Sequence, residues 1–187
     1  MKFNLSEEEK KSILNQHKLL SEQSGGNPLV YSQVIEVPNT TKDILYDKLK
    51  QWMATAYKNF SKVVQLDDKN AGTMVGQANM SFQVKSFSMT CSTGYVNYTI
   101  KLFVKDNKFK IEMSQMEHQA RAGSVQACSL GFLTDSENYK DKGLTAGPYN
   151  KVWVQLKQDT KTYFDGLVEN LQNDIKNIKS DDFNFKP

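Results

Sequence analysis

Three stretches of apolar–polar alternation, joined by short turn-like links, constrain this chain more than any other feature. Met80, Phe82 and Val84 alternate with Ser81, Gln83 and Lys85. Val96, Tyr98, Ile100, Leu102 and Val104 alternate with Asn97, Thr99 and Lys101. Phe109, Ile111 and Met113 alternate with Lys108, Lys110 and Glu112. Successive strand side chains point to opposite faces, so the pattern describes a sheet with one apolar and one wet face. The links DDKNAG (67–72), CSTG (91–94) and KDNK (105–108) are too short for a crossover, which leaves antiparallel hairpins. Strand-like runs at 62–67, 73–88, 95–104 and 109–117 therefore form a meander.

Ahead of the meander, VIEVPNTTKDILYDKLKQWM (34–53) changes period halfway. Residues 29–37 fit a strand; Pro38 to Thr41 end it, with Thr40 or Thr41 as the helix N-cap. Leu45, Leu49, Trp52, Met53 and Ala56 then recur every three or four residues and reach towards Phe60. A second helix is predicted from Tyr149 to Ile178, after Pro148, with the stripe Trp153, Leu156, Thr160, Tyr163, Phe164, Leu167, Leu171, Ile175 and Ile178. Two amphipathic helices and one greasy sheet face imply a two-layer α+β sandwich. The expected order is β-α-β-β-β-β-α, a five-stranded, antiparallel-rich sheet with both helices on one face.

The flanks add less. SEEEKKSILNQHKLL (6–20) reads as an extra N-terminal helix with a capping box of Ser6 and Glu9. SEQSGGNP (21–28) reads as a linker, and SDDFNFKP (180–187) as a tail. This gives an N-terminal segment 1–27, one domain at 28–179 and a short tail. A chain of 187 residues buries roughly 70% of its unfolded surface and needs no disulfide or metal to fold. Lys and Arg exceed Asp and Glu by 24 to 21, too small a margin to imply a nucleic-acid or membrane partner. No apolar run approaches the roughly 20 residues of a membrane-spanning helix. The N-terminus MKFNLSEEEKK lacks the apolar core of a signal peptide.

Three segments carry a likeness to a known family: YSQVIEVPNTTKDILYDKLKQWM, KVVQLDDKNAGTMVGQA and VNYTIKLFVKDNKFKIEMS. Over residues 30–117 the chain resembles a bacterial domain of unknown function with a TATA-box-binding-protein-like fold. The resemblance implies a TBP-like, or helix-grip-like, sandwich and a cell-envelope location; the lack of a signal-peptide pattern and the N-terminal helix leave virion or cytoplasm as alternatives. It brings no active site with it. LSEEEKKSILNQH resembles short N-terminal helices of phage-encoded proteins, which implies docking of residues 6–20 into a larger assembly.

Chemistry is sparse. A TBP-like sheet suggests DNA, but the expected open face (Asn79, Ser81, Gln83, Lys85, Asn97, Thr99, Lys101, Lys110 and Glu112) has few aromatics to stack or wedge. It reads as solvated, and no nucleic acid is expected. Glu117 and His118 can supply two metal ligands but lack a partner pattern, so they read as a strand-end surface pair, and no cofactor is implied. GTMVG (72–76) lacks the Lys-Ser/Thr of a P-loop; its glycines suit a turn and a bulge. Cys91, His118 and Cys128 fall at one end of an up-and-down meander. That admits two unpaired thiols, a Cys91–Cys128 disulfide on export, or a Cys/His enzyme. The segment 118–147 is long for a compact domain and mixes Arg121, Phe132, Leu133 and Tyr139, as a partner surface or lid does.

The expectation is a non-catalytic binding or assembly module for a protein or small ligand. Its candidate site is the sheet end at 88–95 and 118–147, with Cys91, His118, Arg121, Cys128, Phe132 and Tyr139. The alternative is a structural subunit, such as a virion component, that oligomerises through residues 6–20. A Cys/His enzyme is the third reading.

Overall fold

A computed structural model describes residues 26–57, 59–83, 93–121, 129–139 and 146–176. The expected helix at 6–20 and the tail at 180–187 lie outside the described residues, as do Cys91 and Cys128. The elements are β1 (Tyr31–Glu36), α1 (Lys42–Ala56), a single helical turn α2 (Phe60–Val63), β2 (Val64–Asp68), β3 (Thr73–Gln83), β4 (Thr93–Lys105), β5 (Lys108–Ala120), β6 (Gly131–Phe132) and α3 (Ala146–Lys176). The sheet order is β1-β5-β4-β3-β2, and the short β6 also pairs with β5. The predicted antiparallel α+β architecture is therefore present, with β6 as an added sixth strand. Residues 62 and 63, expected as strand, close the α2 turn instead.

Contacts divide the chain into two compact units. Of the described residues, one comprises 26–29, 80–83, 93–97, 115–121, 129–139 and 146–158; the other comprises 30–57, 59–79, 98–114 and 159–176.

In the second unit, β1 pairs antiparallel with β5, from Tyr31 opposite Met113 to Glu36 opposite Lys108. The β4–β5 turn explains why β1 runs straight into a helix. Asp106 accepts the Lys42 backbone N–H at 2.7 Å, the Asn107 side chain accepts the Thr40 N–H at 3.1 Å, and Asn107 N–H donates to Thr40 O at 2.9 Å. A carboxylate thus meets the positive end of α1. Thr41 is the N-cap and accepts from the Ile44 N–H. α1 buries Leu45, Tyr46, Leu49, Trp52 and Met53. Tyr46 keeps its hydroxyl satisfied by donating to Asp67 at 2.6 Å, and Lys50 pairs with the same carboxylate. The Lys50 and Tyr46 hydrogen bonds hold the Asp67 carboxyl below its ordinary range.

Both helices meet the same face of β4. The Tyr98 hydroxyl lies 3.3 Å from that of Tyr57, just past α1, and 2.9 Å from that of Tyr163 on α3. Gly76 sits under this roof: a Cβ there would come within 3.1 Å of Met53 Cε and Val63 Cγ1. The β2–β3 register shifts between Val64, opposite Gly76, and Leu66, opposite Val75. The expected bulge is therefore on β2, and Gly76 provides close packing instead. Gly72 serves the turn, with φ of 67° and its carbonyl accepting the Val104 N–H at 2.7 Å.

Burial follows the sequence pattern along β4: Tyr98, Ile100, Leu102 and Val104 are buried and Phe103 is exposed. Thr99, expected on the wet face, is buried. β5 changes phase. Phe109, Ile111 and Met113 are buried, and then Met116 and His118, while Gln115 turns out with φ of 53°. The inward positions pass from odd to even numbers, the effect of one extra residue in a strand.

Candidate functional site

The phase change on β5 decides the fate of His118. The alternation up to Met113 assigns His118 to the wet side, as a surface partner of Glu117. The structure corrects this: the shift at Gln115 turns His118 inward, and it is fully buried. Its Nδ1 accepts the Leu130 backbone N–H at 3.2 Å, so the neutral ring carries its proton on Nε2. Among the described residues that Nε2 has no hydrogen-bond partner. The ring meets Phe82 edge to face, 5.4 Å between centroids. Burial pushes the His118 pKa down to about 4. Gly94 closes over the ring: a Cβ there would lie 2.9 Å from His118 Nε2 and 2.1 Å from Gln119 O. His118 is thus a neutral core residue with one lone pair occupied and one N–H sealed from solvent.

The segment after Leu130 is fastened by several independent bonds. β6 pairs with β5, Phe132 opposite Glu117 and Gly131 opposite His118. Leu133 N–H donates to Met116 O at 2.8 Å, and Leu29 N–H to Leu133 O at 2.9 Å. Asp135 and Asn27 clasp each other: Asp135 N–H donates to Asn27 O, and the Asp135 carboxylate accepts from the Asn27 N–H and Nδ2. The Asn27 hydrogen bonds hold the Asp135 carboxyl below its ordinary range. Ser136 O accepts from Trp153 Nε1 at 3.1 Å and from Lys157 Nζ at 2.6 Å. Trp153 and Lys157 stand four residues apart on α3, and the Lys157 ammonium lies 5.6 Å from the Trp153 ring centre. Burial lowers the Lys157 pKa. Tyr139 N–H donates to Asn150 Oδ1, and its ring stacks on Tyr149 at 5.7 Å and 15° and leans on Trp153 at 5.4 Å.

The expected site residues therefore separate. His118 and Phe132 lie on paired strands, and Arg121 follows on β5's far end, exposed, with its backbone N–H on Thr93 O. Tyr139 belongs to a different cluster, against α3. Cys91 and Cys128 fall outside the described residues. Sequence reasoning missed Ser136 and Asn27, whose roles come from backbone atoms and distant pairing. It also missed Lys157, although its spacing from Trp153 marks a shared helix face.

On the open sheet face of the second unit, Glu112 accepts from Lys110 at 2.7 Å and lies 3.7 Å from Lys101. Two of the three lysines expected on that face thus share one carboxylate, and Lys85 lies outside the described residues. Among the described residues no group of three or more His, Cys, Asp or Glu is placed to hold a metal ion. No described helix is long and apolar enough to cross a membrane.

Comparison with known proteins bears on the fold. A crystal structure of a TBP-like protein from Parabacteroides distasonis superposes with a TM-score of 0.62 at 15% identity, covering 81% of this chain and 95% of that one. A DUF4468 family protein from Bacteroides ovatus gives 0.57 at 17% identity, covering 82% and 89%. No curated protein matches the sequence. Residues 31–119, the stretch from β1 almost to the end of β5, match the family described as a domain of unknown function (DUF4468) with TBP-like fold. Over that stretch, just under half of the chain, the sequence is similar to the DUF4468 family.

Proposed function

We propose that this chain is a non-catalytic binding module whose working surface is the fastened segment 129–139. The observation that carries this reading is the density of bonds holding that segment while its outer residues stay in solvent. Backbone and side-chain bonds fix it at Leu130, Leu133, Asp135, Ser136 and Tyr139, yet Asp135, Glu137 and Asn138 are exposed. A loop held this firmly on a rigid scaffold presents a fixed surface, which lowers the ordering cost of binding. The state of His118 supports the absence of acid–base catalysis: its one accepting nitrogen is taken by Leu130 and its proton faces no solvent.

Site-specific photo-crosslinking tests this. A photoreactive residue at Glu137 or Asn138 traps one discrete protein partner in the cells that make this chain, while the same residue at the exposed Gln158 does not. Equal labelling from all three positions, or none from 137 and 138, would refute it.

A further inference from the structure

The two edges of the sheet are built differently. β2 is five residues long, carries a register shift between Val64 and Leu66, and ends in Asp67 and Asp68. Shortness, bulges and charge are the devices that keep an edge strand from pairing with another chain. β1, one residue longer, has no register shift. YSQVIE is regular through all six residues of its pairing with β5 and carries one charge, Glu36.

The register of β1 says which backbone groups it offers. Val37 N–H donates to Asn107 O, in line with the β1–β5 pairing. Odd-numbered residues therefore bond inward to β5, and Ser32, Val34 and Glu36 aim their N–H and C=O groups away from the sheet. Apolar surface accompanies them: Val34 is 59% exposed and Val30 48%. Beside this edge, Val34, Ile35, Val37, Pro38 and Ile175, with Glu36 and Gln172, line a cleft of about 400 Å³.

We propose that β1 is a homodimer edge, pairing antiparallel with β1 of a second copy about a two-fold axis at Val34. The charge pattern singles out a second copy. With Val34 on the axis, Ser32 of each copy faces Glu36 of the other, so the single carboxylate meets a hydroxyl donor and no like charges are opposed. Val34 packs on its own symmetry mate, and Val30 comes opposite Pro38, at the cleft. Three outward residues on each copy give on the order of six backbone hydrogen bonds. The sheet becomes continuous across the dimer.

Sedimentation velocity of the full chain, from about 1 to about 200 μM, tests the proposal. Dimer is expected to accumulate across this range. Val34→Lys, at an exposed position, weakens it at least tenfold. Val34→Pro removes an outward N–H without touching the β1–β5 ladder and gives a comparable loss, with unchanged far-UV circular dichroism. A monomer at every concentration overturns the proposal, and so does a dimer that both variants leave intact. Protection of the Val34 and Glu36 amides from hydrogen exchange in a strictly monomeric sample also overturns it, because another part of the same chain then covers the edge.

Discussion

Acidification should weaken this fold through one side chain, His118. The folded ring is neutral and buried, with its pKa near 4, against an ordinary value of 6.5 in the unfolded chain. Below pH 6.5 the unfolded chain takes up a proton that the folded one refuses. Stability from this group is complete above pH 6.5 and is lost as the pH falls towards the folded pKa. The slope is about 1.4 kcal/mol per pH unit, which accumulates to about 3 kcal/mol near pH 4. That is a large part of the roughly 5–15 kcal/mol that holds a domain together. Urea unfolding of wild type and His118→Phe at pH 7, 6, 5 and 4 measures it. The phenylalanine keeps a ring against Phe82 but leaves the Leu130 N–H unpaired, so at pH 7 the variant is weaker by about 1–3 kcal/mol. Its stability should then change little between pH 6.5 and 4. The gap between the two proteins should close, or reverse, as the pH falls. His17, the other histidine, is common to both proteins. Asp67 and Asp135, whose pKa values are lowered in the fold, also act alike in both, chiefly below pH 4. Parallel pH profiles for the two proteins would mean that His118 titrates normally in the folded state, and the reasoning from its burial would fail.

The same core makes two further predictions. Gly94→Ala should cost about 2–4 kcal/mol in chemical denaturation, because its methyl would meet the Gln119 carbonyl, a backbone atom that cannot swing aside. Tyr98→Phe should cost about 1–3 kcal/mol, since the buried Tyr57 hydroxyl loses its partner; Tyr163→Phe should cost less, because Tyr163 is only half-buried. Equal losses in the two tyrosine variants would mean that the three hydroxyls do not form the chain described.

Much of the architecture was legible because it is local. Alternation over β3, β4 and β5 marked which residues are buried, as Phe82, Ile100 and Phe109 bear out. Thr41, Pro38 and the helical spacing of Leu45, Leu49 and Trp52 located α1. Tyr46 was missed in its core because a tyrosine off the main stripe is buried only when a partner such as Asp67 waits for its hydroxyl. The candidate site was partly legible. Its place at the end of β5 and in the following segment followed from topology, but the grouping of its residues did not. The inward turn of His118 depends on one extra residue at Gln115, and the only trace of it in the sequence is the even-numbered Met116. The clasp of Asn27 on Asp135 joins residues 108 positions apart.

What the amino-acid order determined by itself, then, was the face of each strand and the stripe of each helix, since both arise from the fixed angle between neighbouring side chains. Only the tertiary structure decided that His118 is sealed, that Ser136 is bolted to α3 and that β1 stands last in the strand order. Those outcomes depend on where a distant backbone atom arrives, and spacing along a single chain holds no record of that.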